Sequence, residues 1–127
     1  MKLFTLQEAN ELLPGVAANL KEIKSLYSTI AVYRESARAA AGASEFGGGM
    51  HGGSRYVQAL YEIGKITTEL HELGVQLKDY SRGLIDFPSM KDGRIVLLCW
   101  QLGEDEWIEW WHELEAGFAG RQRLSDI

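Results

Sequence analysis

The dipeptide Asp92-Gly93 separates two runs of apolar and β-branched residues and is the strongest local constraint in the chain. Both central residues of a two-residue type I′ turn need a positive φ angle, which Asp tolerates and Gly adopts without steric cost. The dipeptide therefore predicts a β-hairpin in which Lys91 faces Arg94. Counting outward from this turn, the expected cross-strand pairs are Phe87 with Leu98, Asp86 with Cys99, and Ile85 with Trp100.

A second turn is expected at residues 103–105, where the sequence reads GED. A tight turn there sets Trp110 opposite Leu98 and His112 opposite Val96. Cross-strand partners share a face of the sheet, so this register sorts the side chains into two sets. The predicted core face collects Ile85, Phe87, Val96, Leu98, Trp100, Ile108, Trp110 and His112. The second face collects Asp86, Leu97, Cys99, Gln101, Trp107, Glu109, Trp111 and Glu113.

The N-terminal half of the chain has the spacing of long helices. Thr5 followed by Glu8 is a capping box, which predicts a helix start. Because proline fits the first turn of a helix best, Pro14 predicts a break or kink near Leu13. Beyond it, a heptad-like stripe steps by four and three residues through Val16, Leu20, Ile23, Tyr27, Ile30, Arg34 and Ala37.

Between the two helical patterns lies a glycine-rich segment, residues 42–53, which predicts a flexible loop. Helical spacing returns from Tyr56 and ends at Leu73, before a capping Gly74. We therefore expect an α+β fold in a single domain, residues 1–127. A helical hairpin (about 5–73) packs on a three- to four-stranded antiparallel β-meander (about 75–113), followed by a C-terminal tail (114–127).

Charge and composition exclude several classes of function. The net charge is −5, and six acidic residues with no base lie between Glu104 and Glu115, so nucleic acid is not an expected partner. The longest apolar run is too short to cross a bilayer, which predicts no membrane association. With a single cysteine, Cys99, the chain cannot form an internal disulfide, and a cytoplasmic location is expected.

Polar groups on the second face are the first candidates for a site. In the predicted register Asp86, Cys99 and Glu109 form one row across three strands, with Trp107 and Trp111 on either side. Carboxylates around a thiol can bind a divalent metal, and indole rings can stack on a ligand or a cation. The alternative is a solvated or subunit-contacting sheet face, and a buried, inert Cys99.

His112 and Glu113 are candidates for catalysis or metal binding together with Asp86, because histidine titrates near neutral pH. Adjacent strand residues point to opposite faces, so His112 and Glu113 can bind the same metal ion only if the strand ends before Glu113. The alternative is a histidine that is hydrogen-bonded at the edge of the core.

The glycines of residues 47–52 satisfy the spacing G-x-G-x-x-G. A dinucleotide site requires that spacing after a strand, whereas these residues follow a predicted helix. We therefore expect no nucleotide cofactor.

Four ordered blocks, TLQEANELLP, LGVQLKDYSRGLIDFP, DGRIVLLCWQLGE and WHELEAGFAGR, resemble domain of unknown function 2203, a family of small uncharacterised bacterial and archaeal proteins. The resemblance implies no activity. The residues that it singles out are Lys78, Asp79, Gly83, Asp86, Phe87, Pro88, Gly93, Arg94, Cys99, Trp100, Gly103, Glu104, Trp111, His112, Glu113, Gly117, Phe118 and Arg121.

Two functions are compatible with these patterns. The first is a homo-oligomeric structural or interaction protein without catalysis, since the heptad-like stripe and the two-sided sheet leave apolar surface to cover. The second is a metal-dependent or small-ligand enzyme that uses Asp86, His112 and Glu113, with Arg121 holding an anionic group. Further ligand-binding candidates are Arg94, Cys99, Glu109 and Trp111.

Overall fold

Two helices and an antiparallel sheet make up the computed structural model, which describes residues 1–43 and 53–124. The helices are α1 (Leu6–Ala43) and α2 (Gly53–Leu73). The strands are β1 (Gln76–Asp79), β2 (Leu84–Lys91), β3 (Arg94–Gln101), β4 (Trp110–His112) and β5 (Gln122–Arg123), in that order across the sheet. The predicted α+β class and helical hairpin are confirmed, with five strands in the described ranges rather than three or four.

The expected start of α1 is confirmed. The Thr5 backbone N–H donates to Glu8 Oε1 at 2.8 Å, and the Glu8 backbone N–H donates to Thr5 Oγ1 at 3.0 Å. These two bonds satisfy donors that a helix start otherwise leaves without partners.

The predicted break near Leu13 is wrong, because Pro14 lies inside α1, which is one helix of 38 residues. Pro14 deprives one carbonyl of its helical hydrogen bond, at a cost of about 3 kcal/mol. Leu13 and Val16 on either side are only 1% and 2% exposed. Full burial of each such side chain contributes about 1.5–3 kcal/mol, which offsets the cost of the proline.

The hairpin connection is only partly within the described ranges. Of the predicted loop at residues 42–53, Gly42 belongs to the end of α1 and Gly53 begins α2, and the segment between α1 and α2 lies outside the described residues. The predicted end of α2 is confirmed: Gly74 has φ +95°, its N–H donates to the His71 carbonyl, and Val75 N–H donates to the Leu70 carbonyl.

Neither described helix has an apolar stretch of the length that a bilayer crossing requires.

The β2–β3 register is the predicted one. Asp92 and Gly93 have φ angles of 50° and 79°, as a type I′ turn requires, and Lys91 pairs with Arg94. The expected pairs of Asp86 with Cys99, Phe87 with Leu98 and Ile85 with Trp100 all follow.

The predicted β3–β4 register is wrong by one residue. Leu98 pairs with Trp111 rather than Trp110, and His112 pairs with Leu97. The connection is longer than a tight turn, because the chain first buries Ile108 against α1. The Asn10 side-chain oxygen, on α1, accepts a hydrogen bond from the Ile108 backbone N–H at 2.8 Å.

The one-residue shift exchanges the predicted faces of β4. Trp111 joins the core face and is 7% exposed, whereas Trp110 and His112 lie on the second face. Trp107 lies in the connection and is 58% exposed. The core between the hairpin and the sheet includes Leu13, Leu20, Ile23, Leu70, Ile85, Phe87, Leu98, Trp100 and Trp111.

Within the predicted C-terminal tail, β5 pairs with β4 and adds the fifth strand, with Trp111 opposite Gln122. The segment before it lies over the second face. The Arg121 guanidinium is 4.7 Å from the Trp110 ring and 4.1 Å from the Phe118 ring. The second face is therefore covered by the chain's own C-terminal residues.

The exchanged tryptophans give a prediction on stability. Trp111→Ala removes a packed core indole and should lower the free energy of unfolding by about 3–5 kcal/mol. Trp110→Ala removes a half-buried indole and should cost clearly less. Guanidinium denaturation of the two variants measures both values, and a larger loss for Trp110→Ala would contradict the register of β4.

Candidate metal centre

Asp86, Cys99 and His112 converge on the second face of the sheet from three neighbouring strands. Asp86 and Cys99 are direct partners across β2 and β3, and His112 comes from β4. One carboxylate oxygen, the thiol sulfur and one ring nitrogen all lie within 4.8 Å of one another. The three residues are at most 2% exposed, so all three polar groups are held away from water.

The backbone fixes the orientation of the His112 ring. Nδ1 lies 2.7 Å from the carbonyl oxygen of Glu113, and a carbonyl can only accept a hydrogen bond. Nδ1 therefore carries a proton, and Nε2 is turned toward the other two groups. An Nδ1–H held by a backbone carbonyl is the usual way in which proteins orient a histidine that binds a metal through Nε2.

The contact between His112 and Asp86 contains one further proton. Nε2 lies 3.1 Å from Asp86 Oδ1. This distance requires a donor, so either the imidazolium donates to the carboxylate or the protonated carboxyl donates to Nε2. In the metal-free protein the pair holds a proton that a cation on Nε2 and Oδ1 would have to displace.

Burial changes the acidity of both remaining groups. It raises the pKa of Asp86, although His112, the hydrogen bond from Cys99 and the charge of Lys78 act in the opposite direction. Burial, together with the adjacent Asp86 carboxylate, raises the pKa of Cys99 to about 12, against the opposing effect of Arg121. The thiol is therefore protonated at neutral pH and is a poor nucleophile.

The cover over this centre is held by Arg121. Its guanidinium donates to both oxygens of Glu104, at 2.8 and 3.1 Å, and lies between the Trp110 and Phe118 rings. The Arg82 guanidinium lies on Phe118 as well, 4.2 Å from its ring centre. Arg121 is also close enough to Cys99 to oppose the rise in its pKa, so this segment helps to exclude solvent from the cluster.

The other residues predicted for a site are not part of the cluster. Glu109 precedes β4 and forms an ion pair with Arg123 at 3.0 Å, and Trp111 faces the core instead of Asp86. Glu113 contributes its carbonyl, while its carboxylate accepts a hydrogen bond from Arg94 Nε at 2.9 Å. That bond lowers the pKa of Glu113 and raises that of Arg94.

Sequence reasoning paired Asp86 with Cys99 but placed His112 on the wrong face. A signal for the correct register was present in the order of residues Trp110–His112. The register that puts His112 into the apolar layer buries a titratable ring without a partner, whereas the shifted register buries Trp111. The position of Arg121 over the cluster depends on the path of residues 114–121, which were predicted only as part of a C-terminal tail.

A family model described as "Uncharacterized conserved protein (DUF2203)" matches residues 2–124. The match spans both helices, all five strands and every residue of the cluster. Neither the curated proteins nor the solved structures gave a match.

Proposed function

Because the chain belongs to the DUF2203 family, whose description names no activity, we propose a function from the geometry alone: it binds one divalent metal ion. Asp86, Cys99 and His112 would be the protein ligands. Imidazole nitrogen, thiolate sulfur and carboxylate oxygen are the ligand types that Zn²⁺ takes in proteins, and three protein ligands leave one position for water.

The observation that supports this proposal is the convergence of three different donor types, one from each of three strands, around an oriented histidine. A tetrahedral ion with bonds of about 2.0–2.3 Å separates its ligand atoms by roughly 3.3–3.8 Å. The ligand atoms lie within 4.8 Å of one another, so contraction by about 1 Å completes the site.

Charge balance also favours a bound divalent ion. A dication together with a thiolate, a carboxylate and a neutral imidazole has no net charge, which suits a buried site. The same ion would displace the proton of Cys99 and the proton between Asp86 and His112, so binding should release protons. Without the ion, the buried carboxylate depends on His112 and Cys99 for partners.

Metal binding is better supported than catalysis by the residues predicted for an enzyme. Glu113 and Arg121 are engaged in ion pairs with Arg94 and Glu104, respectively. Their roles in this proposal are positional: the Glu113 carbonyl orients His112, and Arg121 covers the centre.

The proposal predicts one equivalent of tightly bound Zn²⁺ or Co²⁺. Protein stripped with a chelator and titrated with Co²⁺ should develop the near-ultraviolet charge-transfer band of a cobalt–thiolate bond. Cys99→Ser should lose the band, and His112→Gln should weaken Co²⁺ binding by roughly a hundredfold or more, since it removes a direct ligand. His71→Gln, which removes an exposed histidine from α2, is the matched control and should bind like the parent protein.

Two results would each contradict the metal proposal. One is folded, stripped protein that gives no thiolate band and takes up no stoichiometric metal. The other is a His112→Gln variant that binds Co²⁺ as tightly as the His71→Gln control.

We also propose that the protein is a homo-oligomer, supported by the outer face of α2. Val57, Leu60 and Tyr61 recur there at helical spacing and are 64%, 44% and 65% exposed. The stripe predicted on α1 contributes less to this proposal, because Leu20 and Ile23 of that stripe are buried within the chain.

Light scattering behind a sizing column should give at least twice the 14.2 kDa chain mass at micromolar concentration. Leu60→Asp should reduce that mass to one chain. A monomeric parent protein would exclude the oligomer without affecting the metal proposal.

The proposed setting is the cytoplasm, with no nucleic-acid partner. A thiol ligand must stay reduced, and cytosolic conditions keep cysteines reduced. The net charge of −5 opposes binding to a phosphate backbone.

A further inference from the structure

A groove lies between the N-terminal half of α1 and the connection from β3 to β4. Its volume is about 650 Å³, within the range of small-molecule sites. Pro14, Ala17 and Leu102 provide accessible apolar walls, and Trp107 lines the groove with an indole that is 58% exposed. A small molecule can therefore reach an aromatic surface without displacing any core residue.

The connection that forms one wall is fixed in place by hydrogen bonds. Trp100 Nε1–H donates to the Asp105 carbonyl at 2.8 Å, and Gln101 N–H donates to Glu104 Oε1 at 2.8 Å. The Ile108 N–H is held by the Asn10 side chain from α1. The groove is therefore formed before any ligand binds.

The charges along the groove are unbalanced. Arg121 neutralises Glu104 through an ion pair of 2.8 Å. The carboxylates of Asp105 and Glu106 take part in none of the ion pairs found across residues 1–43 and 53–124. Lys21 is the single basic residue of the lining, so the groove keeps a net negative charge at neutral pH.

We propose that this groove binds an organic cation, a compound with an ammonium group on an apolar body. The ammonium group would lie near Asp105 and Glu106, where the face of the Trp107 indole also attracts a cation. The apolar body would pack on Pro14 and Ala17. This site is separate from the proposed metal centre, which lies on the opposite face of the sheet.

Three matched probes test the charge preference: phenethylammonium, 2-phenylethanol and 3-phenylpropionate, which carry positive, zero and negative charge on the same body. Titrations at low salt are followed by the indole N–H signals in ¹H–¹⁵N correlation spectra, with the Trp107 signal assigned by Trp107→Phe. Phenethylammonium should shift the Trp107 signal saturably. Its Kd should be about tenfold lower than that of the anion.

Paired variants locate the charge that is responsible. Asp105→Asn with Glu106→Gln should raise the Kd for phenethylammonium about tenfold. The control, Glu69→Gln with Glu115→Gln, removes two exposed carboxylates outside the groove and changes the net charge equally, and it should leave the Kd within about twofold.

Three outcomes would overturn the cation site: equal binding of the anion, an equal effect of the two double variants, or no shift of the Trp107 signal. None of them depends on metal, because the titrations use metal-free protein. Retention of Co²⁺ binding by the Asp105 and Glu106 double variant separates failure of the groove from failure of the metal centre.

Discussion

The pairing of Leu98 with Trp111 is the constraint on which the C-terminal half of the structure depends. Once Trp111 enters the core, strand alternation turns His112 to the opposite face, beside Asp86. A slip of one residue would place His112 in the apolar layer and leave its polar atoms without partners, at about 1–3 kcal/mol. It would also take a core indole out of the layer. Both effects destabilise the slipped register, so the observed pairing of β3 with β4 is strongly favoured.

The same register creates a buried polar cluster that contributes little to stability by itself. Desolvating a carboxylate and an imidazole costs about as much as their mutual attraction returns, so an apolar replacement is often neutral or stabilising. Here the cluster is also closed by Arg121, which is bound to Glu104 and stacked on Trp110. Glu104 also lines the groove that lies between α1 and the connection from β3 to β4. One ion pair thus joins the cover of the metal centre to the wall of the groove.

The features that sequence reasoning predicted correctly are those with local causes. The capping box at Thr5, the cap at Gly74 and the Asp92-Gly93 turn each depend on residues within one turn of chain, and the last of these fixed Asp86 against Cys99. The errors have distant causes. Burial of Leu13 and Val16 supports a continuous α1 through Pro14, and the bond from the Ile108 N–H to Asn10, across 98 positions, holds the connection that precedes β4. Neither contact can be read from a local sequence pattern, so the position of His112 could be found only from the folded structure.

The protonation of the His112 ring tests this account most directly, because the contact of Nδ1 with the Glu113 carbonyl sets Nε2 toward Asp86. Long-range ¹H–¹⁵N correlation spectra of the metal-free protein, with His112 assigned by His112→Gln, report the state of each ring nitrogen. The account predicts that Nδ1 carries a proton, because its partner, the Glu113 carbonyl, can only accept a hydrogen bond. A neutral ring that carries its proton only on Nε2, with Nδ1 bare, would contradict the orientation of His112 and with it the proposed metal centre.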